Sequence, residues 1–328
     1  DYRSGLAYNQ NGGTGTWAGV IACIGSAYIE SSTAGGTLAL GADDSTVITN
    51  AASCSLSMRG NGVIVLYSRV NIGTGNSLLR NDNGILVIHS TSNVWGGTGF
   101  AEGTIRLNAT NGLPTTTALT IGKGDKKALC VFDMNGCDQI LAGLSDIHYA
   151  GPNDHSGTQR IVSGAPATLT VSNNSARSFG LEGSAIEGAV TLLKLGSATL
   201  TLTGTNSYSG ATIVSNGTLA VSATGTLGTN SLAVVVGGSG TLDLATSAAI
   251  PDDAVVQMPA FGVSTAKINL GAGVEETVGW LRYGDLFKSV GTYGATGSGA
   301  DHIDDSHFAG SGRLRVLHSK SGLLMLMQ

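Results

Sequence analysis

Residues 194–221 read K-L-G-S-A-T-L-T-L-T-G-T-N-S-Y-S-G-A-T-I-V-S-N-G-T-L-A-V. Two runs inside this stretch, T-L-T-L at 199–202 and G-T-L-A-V at 217–221, alternate apolar with small residues. That two-residue period is the pattern of a half-buried strand, not of a helix. Leu200, Leu202, Leu219 and Val221 should face a core. The intervening Thr and Ser should face water or stack in ladders.

The same phrase recurs outward in both directions. It stands as G-T-L-A-L (36–40), G-V-I-V-L (62–66), G-I-L-V-I (84–88), G-T-I-R-L (103–107), A-T-L-T-V (167–171), A-T-L-T-L (198–202), G-T-L-D-L (240–244) and G-R-L-R-V (312–316). Successive starts differ by 26, 22 and 19 residues in the first block, and by 19 and 23 in the later one. A strand recurring at such a period is the signature of a solenoid, in which each repeat forms one coil stacked on the last. Asn-Gly pairs at 11–12, 61–62, 83–84, 111–112, 135–136 and 216–217 fall at strand ends, where tight turns belong. The best helical candidate, 281–290, is short and interrupted by Gly284. The fold class is therefore all-β: a parallel β-helix with coils of roughly 19–26 residues. Residues 1–328 read as one continuous solenoid, with N-terminal coils over 1–144, an irregular loop at 145–160 and C-terminal coils over 161–328. A β-sandwich is the alternative.

Composition agrees. Glycine makes up 50 of 328 residues and proline only 5, which excludes collagen and Pro-rich linkers. With 41% apolar and 12% charged residues, there is surface to bury and little charge to resist collapse. The net charge of −5 and the absence of a Lys/Arg run argue against nucleic acid as a partner. No apolar stretch is long enough for a transmembrane helix. The opening D-Y-R-S-G reads as a mature N-terminus left by signal-peptide removal, and the expected location is extracellular or on a bacterial cell surface.

The stretch 194–221 closely resembles the autotransporter-associated β-strand repeat of bacterial surface proteins. Lys194, Gly196, Thr199, Leu200, Thr201, Leu202, Gly204, Asn206, Tyr208, Gly210, Thr212, Val214, Gly217, Thr218 and Leu219 match its pattern, while Ala198 stands where that family has Gly. Two further segments are similar to units of such proteins: 132–144, and the tail from Gly291 through Phe308 to Val316. The resemblance implies a secreted or surface-exposed, right-handed β-helix whose repeat is scaffold, with no catalytic residues to carry over. Autotransporters end in a membrane β-barrel. Too few residues follow the last repeat for one here, so the reading expects a removed barrel or another export route.

Candidate chemistry is sparse. Asp301, His302, Asp304, Asp305 and His307 crowd within seven residues and are the best metal candidates, but their spacing matches no calcium loop. They read as a solvated loop, and no metal or cofactor is expected. The pairs Asp43/Asp44, Asp252/Asp253 and Glu275/Glu276 read as turn or edge charges, because strand neighbours point to opposite faces. The segment 148–155 brings two histidines and an Asp into one polar loop. Trp17, Trp95, Trp280 and the tyrosines could stack on sugars, although packing is the simpler role. Cys23, Cys54, Cys130 and Cys137 form no C-x-x-C pair. They permit disulfides: Cys23 with Cys54 across neighbouring layers, and less readily Cys130 with Cys137, since Cys130 shares core parity with Phe132 and Met134.

The functional expectation follows from the ends of a solenoid, which expose strand edges and an open core. No polar cap is legible, and Leu323, Leu324, Met325, Leu326 and Met327 form an apolar tail. The leading expectation is an extracellular structural protein that joins head to tail with copies of itself into fibres. A monomeric adhesin or carbohydrate-binding passenger, with surface glycans as partners, is the second. A polysaccharide-degrading β-helix enzyme is the third. Apolar, complementary end coils would favour the fibre, clustered aromatics on asymmetric loops the adhesin, and a charged groove on one face the enzyme.

Overall fold

A computed structural model describes residues 4–23, 25–50, 54–122, 129–147 and 159–319. It is a parallel β-solenoid of about 11 turns. The described residues contain no α-helix, and one 3-10 turn lies at Leu181–Gly183. The segment 281–290 is a strand pair, Trp280–Tyr283 and Leu286–Phe287, folded back at Gly284.

Two parallel ladders organise the N-terminal coils. One stacks Ser4–Tyr8, Ala27–Ser31, Leu56–Arg59, Arg69–Arg80, Val94–Phe100, Ala118–Gly122 and Gly143–Ile147 in that order. The other runs from Thr14–Trp17 through Thr37–Leu40, Val63–Leu66, Ile85–Ile88, Gly103–Leu107 and Cys130–Asp133 to Gln159–Ser172. From there the strands lengthen. Gln159–Ser172, Ala185–Leu195, Thr212–Val221 and Ala233–Leu244 each serve two faces, and register shifts at Ser163/Ala167 and Val214/Asn216 mark where they turn the corner. Of the expected loop at 145–160, Ser145 and Ile147 end one strand and Gln159 begins another; 148–158 lie outside the described residues.

Register answers the spacing of the quoted stretch. Leu200 is the lateral partner of Leu219, which continues through Leu242 and Ile268 to Phe308. Leu202, Val221, Leu244 and Leu270 form the parallel row beside it. All nine are buried, and burying each such side chain is worth about 1.5–3 kcal/mol. Outside, Thr199, Thr218 and Thr241 stack as a polar ladder. Nineteen residues are one coil.

Buried polar side chains stitch the corners, where the chain leaves the ladder and backbone groups lose their strand partners. Asn93 accepts from the Val70 amide and donates to the Ser90 and Gly112 carbonyls, spanning three coils. The buried Arg80 guanidinium donates to the carbonyls of Met58, Gly60 and Asn81. Glu276 accepts from the amides of Ala249 and Ile250, at 3.1 and 2.8 Å.

Burial pushes the Glu276 carboxyl up from 4.5 to about 7, against the pull of those two amides. In that window the folded chain holds a proton the unfolded chain has released. This contribution, about 3 kcal/mol in full, is therefore present below pH 4.5 and lost as pH rises through 7. Denaturant titrations at pH 5 and pH 8 should show the loss, and Glu276→Gln should flatten it. An unchanged pH slope in that variant would count against the assignment.

The last coils depart from the pattern. Leu286–Phe287 runs antiparallel to Trp280–Tyr283, and Gly291–Gly294 antiparallel to Arg313–Val316. Arg313–Val316 keeps its parallel pairing with Glu275–Val278 on the other side.

Candidate functional site

The antiparallel folds near the C-terminus bring together rings that the sequence holds far apart. Phe261 lies in the turn after the strand Val255–Met258, Tyr283 ends the strand before Gly284, and Tyr293 sits in Gly291–Gly294. His302 joins them because His302–Ile303 pairs with Tyr293 and Gly294. His307 closes the set, stacked on Tyr283 with centroids 4.1 Å apart. Phe261 meets both edge-on, 5.3 Å from Tyr283 and 4.7 Å from His307. Tyr293 and His302 stack at 4.5 Å. Ring pairs at these separations and angles are favourable beyond simple burial. Between the two stacks opens a cleft of about 480 Å³, whose wall also includes Lys288, Ser289 and Asp301.

Asp304 holds the floor. One of its oxygens accepts from the amides of Ser306 and His307, at 3.0 and 3.2 Å. The other accepts from Tyr283 Oη at 2.7 Å and His307 Nδ1 at 2.9 Å. His307 Nε2 faces the Pro259 carbonyl at 3.0 Å. Burial works against the Asp304 carboxylate, but the bonds from Tyr283 and His307 hold it below the usual range, while burial pushes the Tyr283 hydroxyl up. With a lowered folded value, this stabilisation is present above pH 3.8 and lost as pH falls further. Asp304→Ala strands four donors and should cost the C-terminal unit about 2–4 kcal/mol. Hydrogen exchange at 283–307 should rise while the coils over 160–244 stay protected, and unchanged exchange there would refute the role.

These bonds also engage the acids of the weak metal candidates, which the sequence reads as a solvated loop. Asp301 accepts the amide and hydroxyl of Thr292, Asp305 does the same for Thr296, and Asp304 faces inward. His302 and His307 belong to different ring stacks. The structure thus disperses Asp301, His302, Asp304, Asp305 and His307. Among the described residues, no group of three or more His, Cys, Asp or Glu side chains is placed to hold a metal ion.

The other sequence candidates stay apart. Glu275 faces outward to Arg313 while Glu276 turns inward, so the pair is split between two faces. Asp43 caps the Ser45 amide. All four cysteines are free thiols: Cys23 and Cys130 are buried, Cys54 and Cys137 half-buried. Cys130 lies in the core, as its parity indicates, and burial pushes its thiol up to about 12. Trp95 and Tyr208 are packing residues, fully buried and hydrogen-bonded to Thr98 and Thr212. The segment 148–155 and the tail 323–327 lie outside the described residues.

Phe261 and Lys288 are absent from the sequence candidates, and Tyr283 and Tyr293 stand there only among the tyrosines that could stack on sugars. A signal was present, since five of the 14 Phe and Tyr residues fall between 261 and 308. Exposed Ile303 lines the same cleft, and Phe261 itself is 61% exposed.

The quoted stretch, by contrast, spends its polar side chains on architecture. Lys194 Nζ donates to the carbonyls of Leu195, Gly196 and Asn216. Asn206 accepts from the Ile186 amide and donates to the carbonyls of Gly204 and Thr226. Neither side chain is left over for a ligand or a reaction.

Comparison with known proteins agrees with that division. Residues 192–221 match the family described as Passenger-associated-transport-repeat. No curated protein and no solved structure matches the chain. The quoted stretch is a passenger-associated-transport-repeat built into a parallel β-solenoid.

Proposed function

We propose that this protein is a surface-displayed or secreted passenger-type solenoid that works as an adhesin, with carbohydrate as its ligand and the C-terminal aromatic cleft as its binding site. The transport-associated repeat supports the passenger role. The observation that carries the binding role is the convergence of an exposed Phe261, stacked Tyr293 and His302, and the Lys288 ammonium around one open cleft. Exposed rings rimmed by hydroxyl, imidazole and charged groups suit sugars, which pair apolar C–H faces with hydroxyl edges. In this reading the protein binds and does not cleave, because the carboxylates near the cleft are engaged in holding its walls.

End-to-end fibre formation is not the reading the geometry favours. The last described coils carry two antiparallel pairings in place of a uniformly parallel edge. A printed glycan array probed with the wild-type chain and with Phe261→Ala tests the proposal. Wild type should bind a subset of glycans, and the variant should lose them while staying folded, with only the edge contacts to Tyr283 and His307, about 1 kcal/mol, lost from stability. An array with no bound glycan, or one indifferent to Phe261→Ala, would reject the site.

A further inference from the structure

We infer that the C-terminal cleft selects acidic saccharides, a hexuronate carboxylate being taken by Lys288 while the sugar ring lies against Phe261. This rests on the proposed carbohydrate-binding role and goes one step beyond it.

The inference follows from which charges near the cleft are committed. Asp301 is committed to Thr292 through two hydrogen bonds. Asp304 is committed to Tyr283, Ser306 and His307. Arg282 is paired with Asp285. Lys288 differs. Its Nζ lies 4.6 Å from the centroid of Tyr283 and 5.9 Å from that of Phe261. Among the described residues, no carboxylate lies within ion-pair distance of it. The faces of aromatic rings attract a cation through their quadrupole but leave all three N–H bonds free to donate.

Position does the rest. The backbone amide of Lys288 is tied to the Leu281 carbonyl at 2.8 Å, so its strand end is fixed. The ammonium therefore stands at the cleft wall already oriented by two rings. An anion arriving there gains a charge-assisted hydrogen bond without displacing an existing partner. Beside it, Ser289 Oγ lies 3.1 Å from Tyr293 Oη and 3.5 Å from His302 Nε2, which supplies a hydroxyl and imidazole rim for sugar hydroxyls. Phe261 offers the exposed ring face. A lipid acyl chain would leave that rim unsatisfied, and a neutral sugar would leave Lys288 unused.

The test is calorimetric titration of the full chain with trigalacturonate and with its fully methyl-esterified form, which keeps the rings and masks the carboxylates. The acid should bind at least 10-fold more tightly than the ester, a difference of about 1.4 kcal/mol or more. Raising the salt concentration should narrow the gap. Lys288→Met should bring the acid down to the level of the ester, Lys288→Arg should largely restore it, and Phe261→Ala should weaken both ligands. Equal binding of acid and ester, or an acid affinity indifferent to Lys288→Met, overturns the selectivity. If Phe261→Ala still weakens both ligands in that case, the carbohydrate-binding role survives. Failure of wild type to bind either trimer also overturns the inference, and the broader role then stands or falls on the glycan array.

Discussion

Lys194→Met is expected to destabilise the solenoid by about 1–3 kcal/mol, seen as a lower denaturation midpoint at neutral pH. The side chain sits at a core-facing position, in phase with Val190 and Leu192, and is fully buried. A methionine fills nearly the same volume, so packing alone predicts little change. The cost arises at the corner. The ammonium donates to the carbonyls of Leu195, Gly196 at 3.0 Å and Asn216 at 3.3 Å, joining two successive coils. Removing it leaves those half-buried carbonyls short of a donor. Burial lowers the Lys194 value from 10.5 to about 8. Between those values the unfolded chain binds more protons, so stability rises with pH through this window and the gain is lost as pH falls back to 8. The methionine variant should lack that rise. A variant as stable as wild type at pH 7 would show that the corner does not depend on the cation.

Gly196→Ala should be at least as damaging, for a steric reason. Gly196 has φ of 75°, and a Cβ built there would lie 2.3 Å from the Asn173 carbonyl oxygen and 2.6 Å from the Asn173 amide nitrogen. Both contacts are with the backbone of the preceding coil, so no side-chain rotation relieves them. The positive φ alone costs roughly 1–2 kcal/mol for alanine, and the overlap forces neighbouring coils apart along the ladder. A control separates the two effects. Gly273 has a similar φ of 77°, and a methyl group there would have nothing within 4 Å. Gly273→Ala should therefore cost only the backbone strain of about 1 kcal/mol. Equal losses in the two variants, measured by thermal or chemical denaturation, would remove close coil stacking as the explanation.

The solenoid is legible because its period is written in apolar residues. The phrase spacing sets the coil, and alternation inside each phrase sets which side chains face inward. Core parity also falls on Arg80, Lys194 and Glu276, and there the apolar pattern carries no information about partners. Their acceptors and donors are backbone groups of neighbouring coils, such as Gly60, Asn216 and Ile250. Those groups have no residue-type signal at all. The cleft is hidden for a related reason. Phe261, Tyr283, Tyr293, His302 and His307 become neighbours only through the turn at Gly284 and the antiparallel return of Arg313–Val316. A reading that expects every strand to stack in parallel places those rings on separate coils. The crowded acids at 301–305 resemble metal ligands in sequence, yet their spacing suits capture of Thr292 and Thr296 nine residues earlier.

The central claim is that the regular coils are scaffold and that binding belongs to the C-terminal cleft. Hydrogen–deuterium exchange of the full chain, with and without the saccharide bound most tightly on the array, tests it most directly. Protection confined to 259–263, 281–294 and 300–308, with the ladder strands over 160–244 unchanged, is the predicted result. Protection spread along those ladder faces, or no protected segment at a saturating concentration, would contradict it.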